Sequence, residues 1–159
     1  MNLAKLVYSG FPGVGKSTVY NDRDAYGVNI LDSDSSTFDK TQFPGNYIQH
    51  IKEQTAQGNL ILCSSHDTVR AALVAENIPF HLVFPALECK MEYLQRYTDR
   101  GSPAAFVDMM YNKWEEFFNG CMRQEGCTKT ILQPGQFMCD VPELIQLKRE
   151  VYGLERRSL

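Results

Sequence analysis

The sequence lacks a long hydrophobic run. None of its apolar stretches reaches the roughly 18 residues that a membrane-spanning helix needs, and residues 1–9 lack the apolar core and cleavage site of a signal peptide. Of the 159 residues, 43% are hydrophobic and 22% are charged, which is the balance of an ordinary globular protein. We therefore expect one soluble, cytoplasmic domain, residues 1–159, and no membrane partner.

The sequence also lacks paired cysteines and a strong charge. Its five cysteines are odd in number and never form Cys-x-x-Cys, which disfavours a disulfide or zinc framework and favours packing as small hydrophobes. The net charge is −3 and no run of Lys or Arg occurs, so long nucleic acid is not the expected partner. A small molecule is the expected partner. The sequence does not decide between a monomer and a homodimer.

Short apolar runs alternate with helical patterns along the chain. The runs predict strands at residues 3–9, 28–32, 60–63, 80–84 and 130–132. Apolar spacing and capping residues predict helices at 16–24, 47–57, 67–76, 86–98, from Ser102-Pro103 onwards, and 140–156. Asp67 is the expected cap of the third helix. Buried strands alternating with helices are typical of an α/β fold with a doubly wound parallel sheet.

Residues 10–17, Gly-Phe-Pro-Gly-Val-Gly-Lys-Ser, match the P-loop pattern G-x-x-x-x-G-K-[ST] at every fixed position. A predicted strand precedes them and a predicted helix follows, as phosphate binding by backbone N–H groups requires. Lys16 would reach the β- and γ-phosphates, Ser17 would bind Mg²⁺, and Thr18 would favour the α-phosphate. The pattern predicts that Mg·ATP, or another nucleoside triphosphate, contacts Gly10, Pro12, Gly13, Val14, Gly15, Lys16, Ser17 and Thr18.

Two carboxylates follow the second predicted strand, as Asp32-Ser33-Asp34. In an open parallel sheet the carboxyl ends of the strands face the ligand crevice. We assign Asp32 to Mg²⁺, and Asp34 with Ser35 to the acceptor, where Asp34 would hold a polar group or take a proton. The reverse assignment of the two aspartates stays open, as does a role in capping a turn.

The third predicted strand ends in Ser64-Ser65-His66, without the aspartate that many P-loop ATPases and GTPases carry there for Mg²⁺. This absence disfavours a motor or a switch. His66, at the mouth of the strand, and Arg70, one turn into the next helix, are candidate acceptor ligands. A solvated helix arginine is an equally good interpretation of Arg70.

Arg96 and Arg100 are four residues apart and precede Gly101-Ser102-Pro103. They share a helix face, and the glycine and proline indicate a break that would let the arginines close over a transferring phosphate. We therefore predict a short arginine lid at about residues 96–104. The alternative is a charged helix end that suits the helix dipole.

These features together resemble the adenylate kinase-like superfamily, which includes nucleoside monophosphate, shikimate, gluconate and polynucleotide kinases. The short chain and compact lid are most similar to small phage-type deoxynucleoside monophosphate kinases; if a phage encodes the chain, the location is the host cytoplasm. The resemblance implies a three-layer fold with five parallel strands in the order 2-3-1-4-5. It also implies that Arg96 and Arg100 are lid arginines and that Gln133, Pro134 and Gly135 lie beside the adenine. The Asp-Gly-x-Pro-Arg turn of adenylate kinases and a Cys₄ zinc lid are absent.

The predicted function is transfer of the γ-phosphate of Mg·ATP to a (deoxy)nucleoside monophosphate. Lys16, Arg96 and Arg100 would stabilise the transferring group, while Asp34 and Arg70 would hold the acceptor, which segment 33–58 would cover. A small-molecule hydroxyl kinase, which would use Asp34 as a base, and a polynucleotide 5′-kinase are alternatives. Outside the enzymes, the alternative is a non-catalytic nucleotide-dependent switch. The sequence does not decide whether the phosphate donor is ATP or GTP.

Overall fold

The structure, a computed structural model, describes residues 5–157. Within that range, the strands are β1 (Val7–Gly10), β2 (Ile30–Asp32), β3 (Leu60–Ser64), β4 (His81–Pro85) and β5 (Thr128–Leu132). The α-helices of the same range are α1 (Lys16–Asn21), α2 (Gly45–Ala56), α3 (Asp67–Ala75), α4 (Lys90–Asp99), α5 (Ala104–Arg123) and α6 (Pro142–Arg157). Short 3-10 helices cover Arg23–Tyr26, Ser35–Thr37, Leu87–Cys89 and Met138–Asp140.

The five strands form one parallel sheet in the order β2-β3-β1-β4-β5. This confirms the predicted α/β three-layer fold and the predicted strand order. All four residues of β1 and the first four of β3 are buried, because helices cover both faces of a parallel sheet. Gly10 pairs with Ser64 and Asp32 pairs with Leu62, so the carboxyl ends of β1, β3 and β2 open along one edge.

Helix α5 contributes the largest buried side chain of the core. Met110, Trp114 and Cys121 on one face of the helix are buried, whereas Phe106 and Phe117 pack at the margin of the core. The Trp114 indole N–H donates to the carbonyl of Leu87 at 2.9 Å, which satisfies the one polar atom that the ring carries into the core. None of the helices among residues 5–157 is long and apolar enough to cross a membrane.

Several element boundaries differ from those predicted. Helix α5 begins one residue late, with Pro103 as its N-cap, so Ser102 is not the cap; its Oγ instead accepts from Arg100 Nε at 3.0 Å. Asp67 is the first residue of α3 and His66 is the cap. The Thr68 N–H donates to both, at 2.8 Å to the carboxylate and 3.2 Å to the His66 ring, so a histidine shares the capping role of Asp67.

The first and last strands show how short strands depend on their neighbours. The first strand was predicted from Leu3, which lies outside the described residues, and it is observed from Val7 to Gly10. β5 begins two residues earlier than predicted because His81 of β4 pairs with Thr128. Segment 33–46 was predicted to be a loop, and it contains the 3-10 helix Ser35–Thr37.

Candidate functional site

A cleft of about 760 Å³ opens at the carboxyl ends of β1, β2 and β3. We call one part of it the P-loop end, formed by residues 10–18 with Arg96, Arg100 and Phe137, and the other part the carboxylate end, formed by residues 32–35 with Ser64. The residues that line the cleft are Gly10, Pro12, Gly13, Gly15, Lys16, Ser17, Thr18, Asp32, Ser33, Asp34, Ser35, Ser64, Arg96, Asp99, Arg100 and Phe137.

The glycines of the P-loop are required by the backbone and by their neighbours. Gly13 and Gly15 have φ of +87° and +97°, in the left-handed region. A Cβ on Gly13 would lie 2.9 Å from Cε1 of Tyr97, whose ring is fully buried. Val14, the one predicted P-loop contact that does not line the cleft, has a fully buried side chain. Its carbonyl accepts from the Met138 N–H at 2.7 Å, which joins the loop to the segment after β5.

Lys16 lies along the P-loop, and its ammonium group donates to the carbonyl of Gly10 at 2.8 Å. Burial lowers the pKa of Lys16, while the nearby carboxylates of Asp32 and Asp34 raise it and Arg100 lowers it. The hydroxyls of Ser17 and Thr18, in the first turn of α1, are exposed towards the cleft.

The two aspartates after β2 are held differently. Asp32 is the last residue of the strand, and burial raises the pKa of its carboxyl, with Lys16 lowering it and Asp34 raising it. Asp34 caps the following 3-10 helix, because its Oδ1 accepts from the Ser36 N–H at 2.9 Å. The turn-capping role that the sequence allowed is therefore real for Asp34, although its side chain also lines the cleft.

Ser33, between the two aspartates, is anchored to α2. Its carbonyl accepts from the Tyr47 hydroxyl at 2.5 Å, and its Oγ lies 2.9 Å from His50 Nε2. Tyr47 is fully buried and contacts the ring of Phe38 at 4.9 Å between centroids. Helix α2 and this aromatic contact therefore fix the backbone that presents Asp32 and Asp34.

The cleft offers oxygen ligands that fit Mg²⁺. Ser17 contributes a hydroxyl and Asp32 a carboxylate, both on the cleft surface. Residues 5–157 contain no group of three or more His, Cys, Asp and Glu side chains arranged to hold a metal ion. This is compatible with Mg²⁺ at a nucleotide site, where one or two protein ligands are supplemented by phosphate oxygens and water.

Arg96 contacts the P-loop directly. Its Nη1 donates to the Gly13 carbonyl at 2.8 Å, and its Nη2 donates to Glu92 at 3.1 Å. The guanidinium group lies between the rings of Tyr93 and Phe137, at 4.2 and 4.0 Å from their centroids. Nη2 also donates to the Gln136 carbonyl at 3.3 Å, so the guanidinium group makes three hydrogen bonds and contacts two aromatic rings.

Arg100 is held much less firmly. Its side chain is exposed, donates to Ser102 Oγ, and has its Cζ atom 4.9 Å from the centroid of Tyr97. The segment that joins α4 to α5 is the four-residue turn 100–103, in which Gly101 has a φ of +80°. Arg100 is the cation of this turn that lines the cleft, and the arginine lid at about residues 96–104 stays a prediction.

The segment after β5 reaches the cleft through a residue that the sequence did not reveal. Gln133, Pro134 and Gly135, predicted to lie beside the adenine, do not line the cleft, whereas Phe137 does. The Gly135 N–H donates to Glu92 at 2.9 Å, so Glu92 links this segment to Arg96. The sequence analysis did not single out Glu92 either. Its spacing of four residues from Arg96 would have indicated that the two side chains pair on one face of the helix.

Arg70 and His66, predicted as acceptor ligands, are not among the residues that line the cleft. Arg70 is only 7% exposed; its Nε donates to the Ser65 carbonyl at 2.8 Å, and its Nη1 donates to Gln124 at 2.6 Å and to the Gly120 carbonyl at 3.3 Å. It joins the end of β3 to the last turns of α5. His66 is exposed and caps α3.

Most of the predicted site residues line one cleft: the P-loop residues other than Val14, together with Asp32, Asp34, Ser35, Arg96 and Arg100. The predicted site residues that do not line it are Val14, His66, Arg70 and residues 133–135. Comparison with models of known protein families and with curated proteins finds no match to this chain.

Proposed function

We propose that this chain is a phosphotransferase that moves the γ-phosphate of Mg·ATP to a small-molecule acceptor. One observation carries the proposal: Lys16 and Ser17 of the P-loop line the same cleft as Arg100. Asp32, the last residue of β2, and Asp34, which follows the strand, line it as well. Phosphoryl transfer needs positioned cations around the transferring group more than it needs covalent chemistry. The cleft supplies such cations beside two potential acceptor-binding carboxylates.

Each part of the cleft has a role in this proposal. The P-loop backbone and Lys16 bind the triphosphate, and Arg100 neutralises charge on the transferring phosphoryl group. Arg96 holds the P-loop in shape through Gly13. Ser17 and Asp32 hold Mg²⁺, which would offset negative charge on the β- and γ-phosphate oxygens when it is bound.

Two acceptor classes follow from the sequence and remain proposals. The sequence-based one is a (deoxy)nucleoside monophosphate, which brings its own ionised oxygen and needs no base. The second is a small molecule that accepts on a hydroxyl group. A specific observation favours the second, because Arg70, the expected ligand of an anionic acceptor, makes its hydrogen bonds elsewhere.

The test measures two quantities: ATP binding, and ADP release from Mg·ATP with each acceptor of a panel. The panel contains ribo- and deoxynucleoside monophosphates, nucleosides, gluconate, shikimate, neutral sugars and a 5′-hydroxyl oligonucleotide. Lys16→Ala is the blank, and Lys52→Ala is its matched control, because Lys52 forms an exposed ion pair with Glu76 outside the cleft.

We expect acceptor-dependent ADP release by the parent protein and the Lys52→Ala variant, and its loss in Lys16→Ala. ATP binding without phosphate transfer to any acceptor would instead indicate the non-catalytic switch. Absence of ATP binding in the parent protein would refute the proposed function altogether.

A further inference from the structure

The two ends of the cleft differ in charge. Among the described residues that line the cleft, the cationic side chains are Lys16, Arg96 and Arg100, all at the P-loop end. The carboxylate end presents two carboxylates, Asp32 and Asp34, and the hydroxyl-bearing residues Ser33, Ser35 and Ser64. In the part of the chain that the structure describes, no Arg or Lys contributes to the surface of the carboxylate end.

Arg70 shows why this end lacks a cation. Its guanidinium group lies near the C-terminal turns of α5, where it donates to the Gly120 carbonyl and the Gln124 side chain. A cation at that position is stabilised by the partial negative charge of the helix end. With 7% exposure and these partners, Arg70 cannot serve a ligand in the cleft without breaking three hydrogen bonds.

The charges of all the residues that line the cleft also disfavour an anionic acceptor. Three cations, Lys16, Arg96 and Arg100, face three carboxylates, Asp32, Asp34 and Asp99. One of these cations, Arg96, is also paired with Glu92 at 3.1 Å. When Mg·triphosphate is bound, its negative charge would be offset by these cations and by the Mg²⁺ assigned to Ser17 and Asp32. A phosphomonoester acceptor would add about 1.5 to 2 negative charges near pH 7 beside the remaining carboxylate, Asp34, at an end of the cleft that no Lys or Arg of the described residues lines.

We infer that the acceptor is an uncharged small molecule that is phosphorylated on a hydroxyl group, such as a neutral sugar, a polyol or a nucleoside. The inference rests on the proposed function. Carboxylates and serine hydroxyls are the hydrogen-bonding partners that several neighbouring hydroxyl groups require, since carboxylates accept and hydroxyls both donate and accept.

The transfer step balances with the groups present in the cleft. The acceptor oxygen forms a bond to the γ-phosphorus, and the bond from that phosphorus to the β–γ bridging oxygen breaks. ADP leaves with the electron pair, and the hydroxyl proton passes to an oxygen of the transferred phosphoryl group. Asp34, whose Oδ1 accepts from the Ser36 N–H at 2.9 Å and which lines the cleft, is assigned to accept a hydrogen bond from the acceptor.

The experiment compares acceptors in pairs that differ by one phosphate. Each nucleoside is assayed against its own 5′-monophosphate, and each neutral sugar or polyol against its phosphate ester, with ATP binding measured in parallel. We expect an uncharged member to have a kcat/KM at least about tenfold above that of its phosphorylated partner. Preference for a monophosphate, or ATP binding without turnover of any uncharged acceptor, would overturn the inference. The proposed function itself would be contradicted only if the protein did not bind ATP, or if neither member of any pair were phosphorylated.

A second variant tests the assignment of Asp34 to acceptor binding. Asp34→Asn keeps an oxygen for the Ser36 N–H but removes the charge that would accept from the acceptor's hydroxyl group, so the KM for the acceptor should rise at least about tenfold with the Kd for ATP nearly unchanged. The control is Asp39→Asn, since Asp39 accepts from the Thr41 N–H in the same segment and lies outside the cleft. A KM for the acceptor in Asp34→Asn equal to that of the control would contradict the assignment.

Discussion

Arg96 donates a hydrogen bond of 2.8 Å to the carbonyl of Gly13, a residue 83 positions earlier in the chain. Its guanidinium group holds the outside of the P-loop at the residue whose positive φ gives the loop its shape. Arg100, one helical turn later, makes no comparable bond to the P-loop among those of the described residues. We therefore divide the roles of the two arginines: Arg96 contacts the P-loop, whereas Arg100 is exposed and lines the cleft.

Replacing each arginine by alanine should separate binding from turnover. Arg96→Ala removes the bond to Gly13 and should raise the Kd for ATP about tenfold, which corresponds to roughly 1.4 kcal/mol. Arg100→Ala should lower kcat about a hundredfold or more with little change in Kd, because its charge acts on the transferring group. Nucleotide titration and initial rates measure the two constants, and identical effects of both variants on kcat alone would contradict the division.

Glu92→Gln should also weaken ATP binding, by several-fold, although Glu92 does not line the cleft. Its carboxylate accepts from both Arg96 and the Gly135 N–H, and charge-assisted hydrogen bonds of this kind exceed neutral ones in strength. The matched control is Glu115→Gln, whose carboxylate forms an exposed pair with Lys90 and should leave the Kd unchanged. Equal Kd values for the two variants would show that Glu92 does not position Arg96.

Gly13→Ala should destabilise the protein and abolish nucleotide binding. The new methyl group would lie 2.9 Å from the buried ring of Tyr97 and would also occupy a backbone position with φ of +87°. Gly58→Ala is the control, because Gly58 has a φ of +84° but nothing within 4 Å of the place that its new methyl group would take. We expect urea unfolding to show a loss of about 1 kcal/mol for Gly58→Ala and about 1–3 kcal/mol more for Gly13→Ala; equal losses would exclude the clash.

Arg70→Met should lower the free energy of unfolding by about 2–4 kcal/mol, because it leaves the carbonyls of Ser65 and Gly120 without their donor. The KM for the acceptor should not change, since Arg70 lies outside the cleft. Arg123→Met, at an exposed position of the same helix end, should change neither quantity. A raised KM for the acceptor with unchanged stability would restore Arg70 as an acceptor ligand and argue against an uncharged acceptor.

The outcome for Arg70 illustrates what the sequence can and cannot predict here. The P-loop was predictable because it depends on local spacing, and the parallel α/β fold was predictable because buried strands alternate with helices along the chain. The strand order was implied only by the family resemblance. The position of Arg70 depends on Gly120, which is 50 residues away, and no local pattern encodes that contact. Phe137 was missed for the same reason, because its place in the cleft follows from packing against Gly15 and Arg96.

Stability should fall as the pH is lowered below about 6.5, partly because of His81. This side chain is buried, with its ring nitrogens 2.6 Å from the hydroxyls of Thr128 and Thr130. Burial lowers the pKa of His81, with Glu143 opposing and Lys5 adding to the effect. The unfolded chain therefore takes up a proton near pH 6.5 that the folded protein does not, and folding stability is lost until the lower, folded-state pKa is passed.

Urea unfolding at pH 7.5 and pH 5.5 measures the contribution of His81. His81→Gln should reduce the difference in unfolding free energy between the two pH values. An unchanged difference in His81→Gln would assign the pH dependence to other groups.

The bond from the Met138 N–H to the Val14 carbonyl has a consequence for how the protein is made. The P-loop is synthesised well before the residues that close around it, Phe137 on Gly15 and Met138 beside Gly10. A nascent chain that has not yet released residue 138 from the ribosome contains the complete motif without its supporting contacts. Nucleotide binding should therefore arise only after Met138 has left the ribosome, and fragments that end before Phe137 should carry the motif but bind ATP poorly.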